Sequence, residues 1–99
     1  MSTIEVKTKD RKTLGYANIK PDRADLLNEK HSTIASIEEV SVQYEIKSRS
    51  IVVGFAEITS RDLELKDKSK RTLGKFNKSK GLENPDFLQM VFEKLLAGR

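Results

Sequence analysis

The chain contains no cysteine. That excludes disulfides, thiolate metal sites and a cysteine nucleophile together. It has one histidine, His31, and no motif supplies the nucleophile or carboxylate partner that a catalytic histidine needs. Neither a GxxxxGK[ST] nor a GxGxxG pattern occurs, so no phosphate-cradling loop of those kinds is encoded. No segment approaches the ~20 apolar residues of a membrane-spanning helix. The opening residues, MSTIEVKTKD, lack the apolar run of a signal peptide. These absences point to a cytoplasmic protein that is not an enzyme, needs no cofactor or metal and does not enter a membrane.

What is present fits one small domain, residues 1–99. Apolar residues make up 36% and charged residues 34%, so the core is modest and the surface heavily solvated. The net charge of +4 comes from 19 basic and 15 acidic residues. An excess that small permits an anionic partner without demanding one. Its location therefore matters more than its size.

The two ends of the chain resemble each other. Residues 4–19 (IEVKTKDRKTLGYANI) align without a gap on 63–78 (LELKDKSKRTLGKFNK), with 7 of 16 positions identical. The match resumes out of step, PDRADLLNEK (21–30) over PDFLQMVFEK (85–94). This pattern predicts a supersecondary unit used twice, in residues 4–30 and 63–94.

Ile4, Val6 and Thr8 alternate with charged residues as in a half-buried strand, and LGYANI (14–19) reads as its return. Pro21, Asp22 and Asp25 suit the start of a helix over 22–31, packed through Ala24, Leu27 and Leu26. Val40, Val42, Tyr44 and Ile46 alternate with polar residues, and the apolar IVVGFAEI (51–58) follows a short polar connection. Those two segments predict a hairpin. Leu63 and Leu65 alternate again. Asn84 and Pro85 are strong helix-start residues, Leu88, Val91, Phe92 and Leu95 fall on one stripe, and Gly98 supplies a stop. The expected fold is α+β: a mainly antiparallel sheet of five to six short strands with two helices. A small barrel closed by the C-terminal helix is the alternative.

Two surfaces could bind a partner. The segment Lys66–Lys80 carries seven basic residues against one acidic, and Lys7–Lys12 adds four against one. If the two copies face each other, Lys9, Arg11, Lys12, Lys68, Lys70, Arg71, Lys75, Lys78 and Lys80 would present a field suited to the phosphates of DNA or RNA. Tyr16 and Phe76 could then stack on unpaired bases. Runs of this kind are more often solvated loops. Gly15-Tyr16-Ala17-Asn18-Ile19 is not the RNP1 strand of an RNA-recognition motif, because Leu14 and Asn18 stand where a basic and an aromatic residue belong. The second surface is a protein-binding or homodimerising patch at the rim of the C-terminal helix, Phe87 and Met90, or along an open sheet edge. Glu57, Asp62 and Glu64 would make only a thin oxygen-ligand set for Mg²⁺. A nucleic-acid binder leads, and a protein-interaction module is the alternative.

Overall fold

Burial with a period of two recurs along several segments of this chain, and these segments are strands. The computed structural model describes residues 2–41 and 43–97. Among them the strands are β1 (Ser2–Lys7), β2 (Thr13–Ile19), β3 (Arg23–Leu27) and β4 (Thr33–Val40), followed by β5 (Gln43–Ser48), β6 (Ile51–Ile58), β7 (Leu63–Asp67) and β8 (Thr72–Phe76). Each pairs antiparallel with its chain neighbours, giving a single curled, half-barrel sheet in the order β1 to β8. A 3₁₀ segment (Lys78–Glu83) leads into a short helix, α1 (Pro85–Met90), which widens into a π-helical turn over Val91–Leu95.

This architecture corrects the α+β expectation of five to six strands and two helices. There are eight strands among the described residues, and the fold is nearly all-β. The expected helix over 22–31 is β3 followed by a turn. Ala24 and Leu26 are fully buried, whereas Arg23, Asp25 and Leu27 are only partly so. That is a period of two. Ladders to β2 on one side and β4 on the other satisfy the backbone of this segment, and a ten-residue helix has little stability of its own to set against them. The predicted hairpin of 40–47 with 51–58 exists as β5–β6, but Val40 ends β4. The expected roles of Val42 and Gly98 lie outside the described residues.

The expected two-copy unit fails in its second half, because 21–30 forms β3 and its turn whereas 85–94 is helical, and what recurs is a shorter unit. Four hairpins share one register: Val6 faces Gly15, Leu26 faces Ala35, Ile46 faces Gly54 and Leu65 faces Gly74. Each has its register shift at the same place, immediately after Val6, Leu26, Ile46 and Leu65. These four residues stand 20, 20 and 19 positions apart. The resemblance between residues 4–19 and 63–78 compares the first unit with the fourth.

The inner face of the sheet mixes the small residues Ala17, Ala24, Ala35 and Ala56 with the larger Val6, Leu26, Ile37, Ile46, Leu63 and Leu65, all buried. The C-terminal segment covers this face with Phe87, Leu88, Val91, Phe92, Leu95 and Leu96, all buried. α1 contacts both β1 and β8, so it seats between the two ends of the open sheet. At ~25 cal/mol per Å² of apolar surface, this segment is a principal source of stability. Asn84, itself buried, starts it by accepting hydrogen bonds from the backbone N–H groups of Asp86 (2.9 Å) and Phe87 (3.1 Å).

Candidate nucleic-acid interface

The tip of a β-hairpin with a three-residue loop requires one residue at positive φ, and glycine or asparagine is the ordinary choice. This chain uses neither. Arg11 (φ 64°), His31 (φ 66°) and Lys70 (φ 66°) occupy that position in the first, second and fourth hairpins. The third turn is tighter, and Arg49 (φ 54°) and Ser50 (φ 68°) take both central positions. The backbone of the three longer turns is the same throughout. The N–H groups of Arg11, His31 and Lys70 donate to the carbonyls of Thr8, Asn28 and Asp67 at 3.0, 2.9 and 2.9 Å. The side chains of those same three residues accept from the loop backbone. Thr8 Oγ1 takes Lys12 N, Asn28 Oδ1 takes Lys30 N and Ser32 N, and Asp67 Oδ1 takes Ser69 N and Arg71 N. These local bonds hold the loops in shape, and those to Asp67 lower its carboxyl pKa, with the Arg71 amide the largest contributor.

In an antiparallel meander successive turns alternate between the two ends of the sheet, so the β1–β2, β3–β4, β5–β6 and β7–β8 turns share one end. That end therefore gathers residues 8–12, 28–32, 49–50 and 67–71. It carries eight basic residues, Lys9, Arg11, Lys12, Lys30, Arg49, Lys68, Lys70 and Arg71, against the acidic Asp10, Glu29 and Asp67. All eight basic residues are exposed. The opposite end (20–22, 59–62 and 77–83) carries four basic and three acidic residues and is nearly balanced.

The outer face of the sheet contrasts with the tips because its charges are paired. Asp25 accepts Lys20 and Arg23 at 2.8 Å each, and Glu38 lies 3.9 Å from both Arg23 and Lys47. Lys20 and Arg23 hold the Asp25 carboxyl below the usual aspartate pKa, with the Lys20 hydrogen bond the largest cause. At the tips, Arg71 pairs with Asp67 at 3.1 Å and Lys70 lies 5.1 Å from the centre of the Phe55 ring. Among the described residues Lys9, Arg11, Lys12, Lys30, Arg49 and Lys68 form no ion pair.

The sequence-predicted residues divide among these environments. Lys9, Arg11, Lys12, Lys68, Lys70 and Arg71 meet at the tip end, although the first and fourth turns belong to opposite sides of the sheet. Segment 66–80 is a hairpin and a 3₁₀ segment rather than an open loop. Lys75 projects from β8 opposite Glu64. Lys78 and Lys80 lie at the far end, where Lys78 Nζ donates to the carbonyls of Thr59 (3.1 Å) and Ser60 (2.7 Å). Phe76 packs edge-to-face on Phe87 with ring centres 5.9 Å apart, and Tyr16 stacks on His31 at 4.1 Å. Tyr16 and Phe76 therefore do not form a paired stacking platform. Phe87 is wholly buried, so its proposed place on a protein-binding rim is corrected to the core, and Met90 packs beside Gly74. His31, expected at the end of a helix, sits instead at a hairpin tip. Glu57 faces Glu64 across the ladder and pairs with Lys66 at 3.3 Å, while Asp62 accepts from Thr59. No group of three metal-ligating side chains occurs among the described residues.

Lys30, His31 and Arg49 were not predicted as part of the basic surface. A signal existed in the recurring T8-K-D-R-K-T13, N28-E-K-H-S-T33 and D67-K-S-K-R-T72. Each places a capping side chain three residues before a cationic or imidazole side chain. Among the described residues no helix is long and apolar enough to cross a membrane. Comparison with known protein families, curated proteins and solved structures finds no match.

Proposed function

We propose that this protein binds nucleic acid without catalysing a reaction, through the four hairpin tips at one end of its sheet. One observation carries the reading. Three of the four tips place a lysine or arginine at a positive-φ position where glycine would be less strained. Holding an L-residue there costs about 1–2 kcal/mol, and side chains kept against that cost fit a surface selected for charge. A second feature supports it: six exposed tip cations have no intramolecular partner among the described residues, so phosphates would not have to displace carboxylates. The surface suits backbone recognition and not base reading, because Tyr16 and Phe55 are already covered by His31 and Lys70.

Fluorescence anisotropy with labelled single-stranded and duplex oligonucleotides tests the reading. Binding should weaken with salt by about 0.9 log unit per phosphate contact for duplex. Replacing Lys9, Arg11, Lys68 and Lys70 together by serine should remove most of the affinity and flatten the salt dependence. Replacing Lys78 and Lys80, at the opposite end, should leave both unchanged. Absence of binding at low salt would overturn the proposal.

A further inference from the structure

Four hairpin tips leave three gaps between them, and the three gaps are not filled alike. Equivalent residues follow the small inward positions Gly15, Ala35 and Gly54: they are Tyr16, Ser36 and Phe55, all half-buried on the outer face. In the first gap the Tyr16 ring lies against His31 of the next tip, 4.1 Å away and nearly parallel. In the third gap the Phe55 ring lies beneath Lys70 of the next tip. The middle gap has the tip cation, Arg49, but Ser36 supplies no ring. The β4–β5 ladder ends at Ser36 and Lys47, the same register at which the β2–β3 ladder ends at Tyr16 and Leu27.

The gap that lacks a ring holds a cleft of about 590 Å³, lined in part by Ser36 and Arg49. A volume of that size suits a small ligand. The cleft is lined by Arg23 and Lys47, which pair with Asp25, Glu38 and Glu45, and by the cation Arg49, with the hydroxyls of Ser32 and Ser50 at its tip end. Two donors await an acceptor. Arg23 Nε is buried with no hydrogen-bond partner, and Arg49 forms no ion pair among the described residues. A cleft that has the tip cation Arg49 but no ring of its own, and that holds an unpartnered buried guanidinium nitrogen, fits a ligand that is aromatic at one end and anionic at the other.

The geometry points to a mononucleotide site in the cleft between the second and third hairpin tips. The base takes the place of the absent ring at Ser36 and lies under Arg49. The phosphate is received by the unpaired donors of the groove. This site does not depend on the four tips acting together on a polynucleotide, and the two readings can fail separately.

The experiment is a titration of the full chain with adenosine 5′-monophosphate, adenosine and inorganic phosphate, followed by backbone amide NMR shifts. Adenosine 5′-monophosphate should bind with Kd below about 1 mM, moving amides of residues 32–36 and 48–50. Phosphate and adenosine should each bind at least about tenfold more weakly. Ser36→Phe installs the ring found in the neighbouring gaps and should abolish the shifts while the melting transition is kept. Arg49→Ser, at an exposed turn, should weaken binding at least about tenfold and covers the case in which Ser36→Phe does not fold. No shifts at about 5 mM nucleotide, shifts centred elsewhere, phosphate matching the nucleotide, or unchanged binding by either folded variant would overturn the site. Oligonucleotide binding by Ser36→Phe reports on the tips alone, since all tip cations remain.

Discussion

Phe92 closes over Gly15: a Cβ added at Gly15 would lie 2.7 Å from Cε1 of the Phe92 ring and would overlap the Leu27 carbonyl oxygen. The same relationship recurs at Gly54, where a Cβ would stand 2.6 Å from Leu95 Cδ1 and 2.7 Å from the Lys66 carbonyl oxygen. Both glycines follow from the hairpin register, and both are where the C-terminal segment touches down. Gly15→Ala must therefore displace backbone as well as a ring. It should destabilise the fold by at least about 2 kcal/mol. Urea unfolding measures this, and a wild-type midpoint would disprove the contact.

Asn84 joins the sheet to the helix. Its Oδ1 caps two helical N–H groups while its Nδ2 donates to the Asn77 carbonyl at 2.9 Å. Removing a capping side chain costs about 1 kcal/mol in the open, and leaving buried backbone donors unsatisfied costs more. Asn84→Ala should lose about 2 kcal/mol, and Asn84→Asp, which keeps the acceptor but not the donor, should lose less. Thermal melts of the two variants side by side decide it.

Asp25 ties the β2–β3 connection to the sheet through Lys20 and Arg23, and these neighbours lower its pKa in the folded state. A depressed carboxylate contributes stability that is present above its unfolded pKa, about 3.9, and lost as pH falls through the folded value. Asp25→Asn should therefore be less stable than wild type by about 1–2 kcal/mol at pH 7. The difference should shrink below about pH 4. Unfolding free energies of the pair across that range provide the check, and a pH-independent gap would mean that packing, not charge, is at stake.

The C-terminal helix was legible because one short stretch carries its cap, its proline and its apolar stripe together, and nothing in the fold competes for those residues. The Tyr44–Ile58 hairpin was legible for the same reason. The segment 22–31 was not. Ala24 and Leu27 satisfy helical spacing as well as Ala24 and Leu26 satisfy strand spacing, and the choice rests with β2 and β4, which no local pattern reveals. The twenty-residue repeat was hidden by substitution. The second unit has Leu27 where the others have lysine and Ala35 where they have glycine, and the third is one residue shorter from Ile46 to Gly54. Only units one and four keep enough identity to be aligned. The basic tips were half visible: a charge run marks Lys9–Lys12 and Lys68–Arg71, while Arg49 stands alone among serines and joins them only through the meander.

The αL cations yield the sharpest test of why they are there. At Arg11 the backbone is held at φ 64° with no ion pair among the described residues and with an exposed side chain. If the residue served the fold, replacing it would weaken the fold. Arg11→Gly relieves a strain of about 1–2 kcal/mol and gives part of it back, because glycine loses more backbone freedom on folding, about 0.5–1 kcal/mol. The variant should therefore be more stable by about 0.5 kcal/mol and at the same time bind oligonucleotide less tightly, with a salt slope shallower by about one contact. Stability and binding move in opposite directions under this reading. Chemical denaturation and anisotropy on a single preparation give both numbers. A variant that is more stable and binds as before would leave Arg11 with no part in a phosphate surface. One that is less stable would make the turn itself the reason for the arginine.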